Sequence, residues 1–146
     1  MRLAYLVVAC LPVLAQTPVT KAPGDKVTLE VSADSQPTRA PIALKWEVVF
    51  PAQLMEMEAG APQIGSAAKD SGKTLECTAR RPYAYVCIVS GGQKPIGNGP
   101  VAIFHFQIRA KAEAGTTSLK IQGAESTTAD SKKWLLNSTE AIVVIR

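Results

Sequence analysis

The chain has 146 residues, 47% hydrophobic and 19% charged, and its 16 Lys and Arg against 12 Asp and Glu give a formal net charge of +4. That length suits one domain. The basic residues are scattered, with only Arg80-Arg81 and Lys132-Lys133 adjacent, which argues against the clustered stripe of a nucleic-acid binder.

Met1-Arg2 is followed by an apolar run from Leu3 to Leu14 and the small-residue site Val13-Leu14-Ala15. This is the pattern of a secretory signal peptide over residues 1–15, cut after Ala15, and it implies an extracytoplasmic location, either periplasmic or secreted. An alternative is lipid anchoring at Cys10, after Val8-Ala9. No later segment approaches the roughly 20 apolar residues that cross a bilayer, so no transmembrane segment is expected. Removing the leader takes Arg2 with it and lowers the net charge from +4 to +3. About 130 residues remain, enough to bury roughly two-thirds of their unfolded surface. Cys77 and Cys87 then become the only cysteines, and an even count in an oxidising compartment favours a disulfide. Arg81-Pro82 lies between them as a turn, so the pair can face each other across a hairpin. Closing a loop of about 10 residues stabilises by about 2 to 3 kcal/mol.

Residues 16–24 carry Pro18 and Pro23 among small polar residues and read as a short leader into a domain over residues 25–146. Val27, Leu29 and Val31 then alternate with Thr28 and Glu30. Leu44, Trp46, Val48 and Phe50 alternate with Lys45, Glu47 and Val49. Both patterns have the period of half-buried strands, with Trp46 on the core side. Pro51 ends the second, and residues 53–58 follow as a short strand. Residues 59–72, rich in Gly, Ala and Ser, read as a long loop. Residues 74–78 and 83–89 form the cysteine hairpin. After a Gly- and Pro-rich connection, Ala102, Phe104, Phe106 and Ile108 recur at every second position of one long strand. The opposite parity, Val101, Ile103, His105 and Gln107, then points away from that core, either to a wet recognition face or to a covering loop. Residues 117–122, 133–136 and 140–146 complete nine short strands. Residues 110–114 favour helix but are too few to hold one. The expected fold class is all-β: a nine-stranded antiparallel β-sandwich with jelly-roll topology.

On these residues the chain resembles a cohesin domain. Gly24-Asp25-Lys26-Val27-Thr28-Leu29-Glu30-Val31 is similar to the family's first strand. Trp46 to Met55, with Phe50-Pro51, is similar to its aromatic strand and proline turn. The stretch from Gly99 to Leu119 resembles a glycine turn, a long alternating strand and the turn Ala114-Gly115-Thr116-Thr117. Residues 137–145 resemble the closing turn and strand. The cysteine hairpin departs from the family pattern, as does Phe50 directly preceding Pro51, where cohesins commonly carry an intervening aspartate. The resemblance implies a non-catalytic module that binds a dockerin-like protein partner through the outer face of a sheet made from the third, fifth, sixth and eighth strands. Counted along this sequence, the strand after Gly99 is the sixth, so Val101, Ile103, His105 and Gln107 are the implied partner-binding residues.

Two other functions compete with that one. A carbohydrate-binding module, tied to polysaccharide metabolism, needs an exposed aromatic platform, for which Tyr83, Tyr85 and Trp134 are the candidates. A structural subunit of a cell-envelope assembly would use a free edge strand. Catalysis is not expected: His105 is the only histidine, and it lacks the neighbouring nucleophile and carboxylate of a triad. Glu56 and Glu58 can share a strand face, but they come without the Asp-rich loop of a calcium site, and solvated surface is the simpler role. No cofactor or metal is implied, since the cysteines lack metal-ligand spacing.

Overall fold

A computed structural model describes residues 4–9 as backbone only, and residues 18–59 and 62–146 with side chains. Cys10, the cleavage site at Ala15 and the first residues of the expected leader lie outside the described residues. The strands are β1 (Ala4–Ala9), β2 (Val19–Lys21), β3 (Lys26–Asp34), β4 (Pro41–Val49), β5 (Met55–Met57), β6 (Gln63–Ile64), β7 (Thr74–Arg81), β8 (Ala84–Ser90), β9 (Gly99–Ile108), β10 (Gly115–Thr128), β11 (Lys133–Leu135) and β12 (Thr139–Ile145), with one short helix, α1 (Ser66–Asp70).

Two sheets result. Sheet A runs β1-β3-β9-β5, with β6 also on β9; sheet B runs β2-β12-β10-β4-β8-β7, with β11 also on β10. Period-two patterning builds both, because each strand turns one parity inward. Val27, Leu29 and Val31 from β3 and Ala102, Phe104, Phe106 and Ile108 from β9 meet Leu44, Trp46 and Val48 from β4 and Leu119 and Ile121 from β10, all buried. Phe106 is central: its ring lies 5.3 Å from that of Phe50 and 6.4 Å from that of Phe104. Truncating such a buried aromatic costs about 3 to 5 kcal/mol. The β-sandwich expectation is met, with most strand pairs antiparallel.

Several boundaries differ from the sequence reading. Val19–Lys21, assigned to the leader, is a strand paired in parallel with Val143–Ile145 of β12. Its partner lies at the far end of the chain, so nothing local announces it. The expected loop over residues 59–72 contains β6 and α1. Small residues permit this: Ala67 and Ala68 are buried, and the Ala67 methyl lies 3.5 Å from the Cβ position of Gly99. Gly65, just before the helix, sits so close to β9 that a Cβ there would clash with the carbonyl of Pro100. Strand β10 runs on to Thr128, well past the expected Gln122, by absorbing a register shift between Gln122 and Glu125. Gly123 supplies the left-handed backbone there, at φ +58°, a conformation open to glycine at little cost.

The cysteine hairpin forms as expected. Cys77 and Cys87 are directly opposite in the β7–β8 ladder, with Cα atoms 4.1 Å apart and the sulfurs bonded. Pro82 and Tyr83 make the turn between the strands, where proline's fixed φ suits the corner.

Candidate functional site

Strand β9 carries the four residues that the sequence marked for partner binding, and they do not form one accessible face. Val101 is fully buried (0% exposed). Val31 pairs with Ala102 and Ser32 with Pro100, which leaves Val101 as the extra residue of a bulge and out of the strand's alternation. The turn into α1 also crosses it, with the Gly65 N–H donating to the Val101 carbonyl (2.9 Å). Of the two expectations for Val101, recognition face or covering loop, the covered one describes it. Ile103, His105 and Gln107 do point outward but are half-buried. His105 Nδ1 shares a 3.3 Å hydrogen bond with the Thr28 hydroxyl, and the Gln107 side-chain amide donates to the Gly24 carbonyl. At the same margin Glu56 pairs with Arg109 (3.3 Å) and Glu58 with Lys26 (3.0 Å). The polar groups of sheet A's outer face are therefore largely committed to neighbours.

Sheet B presents a different outer face. From residue 19 onward, the strands on the main path of the two sheets are β2, β3, β4, β5, β7, β8, β9, β10 and β12, nine in all among the described residues. In that count β9 is seventh. The third, fifth, sixth and eighth are β4, β7, β8 and β10, which stand side by side in the order β10-β4-β8-β7. The sequence count was one short here because it took Val19–Lys21 for leader; counting residues 133–136, which follow β9, as a full strand kept the total at nine.

The outward residues of these four strands fall into rows fixed by the pairing register. One row runs Glu125, Lys45, Ile88, Glu76, and the next runs Gln122, Glu47, Val86, Thr78. Ile88 is 40% exposed, unusual for a β-branched side chain in mid-sheet. Beside it Glu47 is held from two sides. The Gln122 side-chain amide donates to one carboxylate oxygen (2.7 Å), and Arg80 reaches across from β7 to the other (3.3 Å). With Val86 and Gly123 these groups line a shallow depression of about 310 Å³. On the inner side of the same strands Trp46, Cys87 and Cys77 lie opposite one another in one row, with the two cysteines bonded. The arrangement is a flat, braced surface with apolar side chains in a field of both charges. Such a surface suits protein recognition, where apolar anchors supply energy and polar neighbours set register. The parity signal applied to Val101 and Ile103 was also present at Val86 and Ile88, which the sequence reading passed over as part of the cysteine hairpin.

The aromatic candidates do not converge on a platform. Tyr85 turns inward, its ring stacked 6.0 Å from Phe50. Tyr83 is 41% exposed at the hairpin turn, but the Arg81 guanidinium donates to its hydroxyl (2.9 Å) and lies 5.8 Å from its ring. That hydrogen bond raises the pKa of Arg81. Trp134 is half-buried on β11, with the Arg39 guanidinium 4.0 Å over its ring. Sugars stack on open aromatic faces, and Arg39 occupies this one.

Solved structures share this architecture. A type I cohesin in complex with a dockerin from Clostridium thermocellum matches with a TM-score of 0.74 at 12% identity, over 88% of this chain and 94% of that one. The sixth cohesin of scaffoldin B from Acetivibrio cellulolyticus, in complex with a Cel5 dockerin, gives 0.74 at 15% identity, with the same coverage of both chains. A non-cellulosomal cohesin from the archaeon Archaeoglobus fulgidus gives 0.64 at 15% identity, over 88% and 87% of the two chains. No protein-family model matches the sequence, and no curated protein matches it. The fold is therefore that of a cohesin-like jelly-roll sandwich, strongly diverged in sequence.

Proposed function

We propose that this chain is an exported, non-catalytic binding module that captures a dockerin-like protein partner through the outer face of sheet B. The observation that carries this reading is the adjacency of β10, β4, β8 and β7, with Ile88 and Val86 at their centre. The cohesin resemblance implies docking on the third, fifth, sixth and eighth strands, and those are the four strands in question. Support for export comes from the apolar leader and from a disulfide that belongs to oxidising compartments. No helix among the described residues is long and apolar enough to cross a membrane.

The test uses the mature chain against immobilised dockerin modules of the kinds seen in the Clostridium thermocellum and Acetivibrio complexes. Ile88→Asp buries a carboxylate at the centre of the contact and is expected to weaken capture at least a hundredfold, since central anchors dominate such interfaces. Ile103→Asp, on sheet A, should leave capture unchanged in a sample shown to be folded. The opposite pattern would return the docking face to β9, and capture of no dockerin by the wild-type chain would remove this partner class.

A further inference from the structure

Strand β1 lies within the segment expected to be cut after Ala15, yet it closes the fold. It pairs in parallel with β3, from Ala4↔Leu29 to Ala9↔Asp34, and also approaches β12 of the opposite sheet. It therefore fills a slot one strand wide between the margins of the two sheets. The other side of β3 is taken by β9, so removing β1 strips the backbone groups of Leu29 to Asp34 that face it of their ladder. Behind them Leu29, Val31 and Ala33 of β3 and Ala141, Val143 and Ile145 of β12 are buried. The cut chain cannot refill the slot from its own N-terminus. β2 is pinned to β12 from Val19↔Val143 onward. That leaves residues 16–18, about 10 Å of chain at full extension, for a six-residue slot of about 20 Å.

We propose that removal of residues 1–15 turns β3 into an acceptor for an extended strand of a partner protein, apolar and basic in alternation, which enters parallel to β3 and completes sheet A. This surface is separate from sheet B's outer face and rests on the cut after Ala15, not on how sheet B is used. Register sets what the incoming strand must carry. Its residues opposite Leu29, Val31 and Ala33 turn inward with them and are apolar. Those opposite Glu30 and Asp34 turn outward. Glu30 accepts from the Ser32 hydroxyl (3.1 Å), but neither carboxylate has an ion-pair partner among the described residues. Lys or Arg is therefore favoured at both positions. A second copy fits less well, because its β3 comes with a folded sheet on one side, too bulky for a slot that takes one strand. A free segment donated by a partner meets no such obstacle.

The test compares the chain from Gln16 to Arg146 with the full chain and uses three short peptides. The first is built around Val-Lys-Val-Thr-Val-Lys, the second replaces both Lys by Glu, and the third holds the residues of the first in an order without alternation. Amide exchange and chemical shifts follow binding. In the cut chain, the amides between Leu29 and Asp34 that face the slot should exchange at least tenfold faster than in the full chain. The first peptide should restore their protection, and a spin label at its N-terminus should broaden Leu29 and not Asp34, as parallel entry requires. The Glu peptide should bind several-fold more weakly, a preference that Glu30→Lys with Asp34→Lys should reverse. The non-alternating peptide should not bind the cut chain, and the first should not bind the full chain, whose slot is filled. If the cut chain does not hold its fold alone, the first peptide should restore it on refolding, and failure to do so overturns the proposal. Equal protection of the slot-facing amides in both chains overturns it, as do binding by the full chain and antiparallel entry. Dimers of the cut chain that the first peptide does not dissolve overturn it in favour of a second copy.

Discussion

The two outer faces of the sandwich are built from strands of the same period, yet only one is open. On sheet A the outward positions are half-buried, crossed by the approach to α1 and tied into bonds such as Thr28–His105 and Lys26–Glu58. On sheet B the outward row keeps Ile88 and Leu135 exposed and Lys45 without an ion-pair partner among the described residues. The lesson is that parity tells which side of a sheet a residue leaves by. What lies over that side is decided by elements distant in sequence, such as the small-residue segment from Gly65 to Ala68.

The largest stability effect expected from testing this contrast comes from the disulfide. Cys77→Ser with Cys87→Ser should cost about 2 to 3 kcal/mol in urea unfolding. The loss should be local in its consequences, because β7 is the margin of sheet B and pairs only with β8. Amide exchange should quicken along β7, and with it the Arg80–Glu47 contact should loosen, while β3 and β9 keep their protection. Equal quickening in both sheets would mean that the bridge braces the whole sandwich and not sheet B alone.

A smaller effect follows from adding one methyl group to the cover of sheet A. Gly65→Ala places a Cβ against backbone atoms of Pro100 that cannot rotate away. The cost should be about 2 kcal/mol, as for other overpacked contacts. The turn into α1 should lift from β9, making the Val101 and Ile103 amides exchange faster, while the partner capture proposed for sheet B stays unchanged. Capture that weakened with this variant would mean the two faces are coupled.

How far the sequence foretold this molecule depends on how local each signal is. Alternation in residues 27–31, 44–50 and 102–108 marked strands whose inward residues are the core, Trp46 among them, and the cysteine spacing marked the hairpin. Those patterns are complete within one strand or one turn. Val19–Lys21 is three residues long and paired with the opposite end of the chain, and overlooking it moved the strand count by one. That single step made β9 the sixth strand in the count, and so put the residues implied by the resemblance at Val101, Ile103, His105 and Gln107 on sheet A, whereas the sixth strand of the structure is β8. At Val101 the sequence left a wet face and a covering loop both open, since a bulge breaks period two without any signature in composition. Leu135 was invisible as a surface residue because three residues carry too little period to tell one face from the other.

Trp134 offers the finest test of the contrast, because it separates an aromatic that could stack on a sugar from one already stacked. Arg39→Ala removes the guanidinium 4.0 Å above the ring. It should cost only about 0.5 to 1 kcal/mol, the usual worth of an exposed cation–π contact. It should also open the indole face, detectable as increased quenching of Trp134 fluorescence by iodide, with Trp46 buried and silent. If the module binds no carbohydrate, retention on insoluble polysaccharides should stay at background both before and after this change, and Trp134→Ala should alter nothing. If the ring were a sugar platform gated by Arg39, uncovering it would raise retention and Trp134→Ala would abolish the gain. The outward row from Leu135 to Ile88 is untouched by either substitution, so dockerin capture should be the same in all three proteins. A variant that gained polysaccharide retention while keeping capture would place two recognition surfaces on opposite sides of β11.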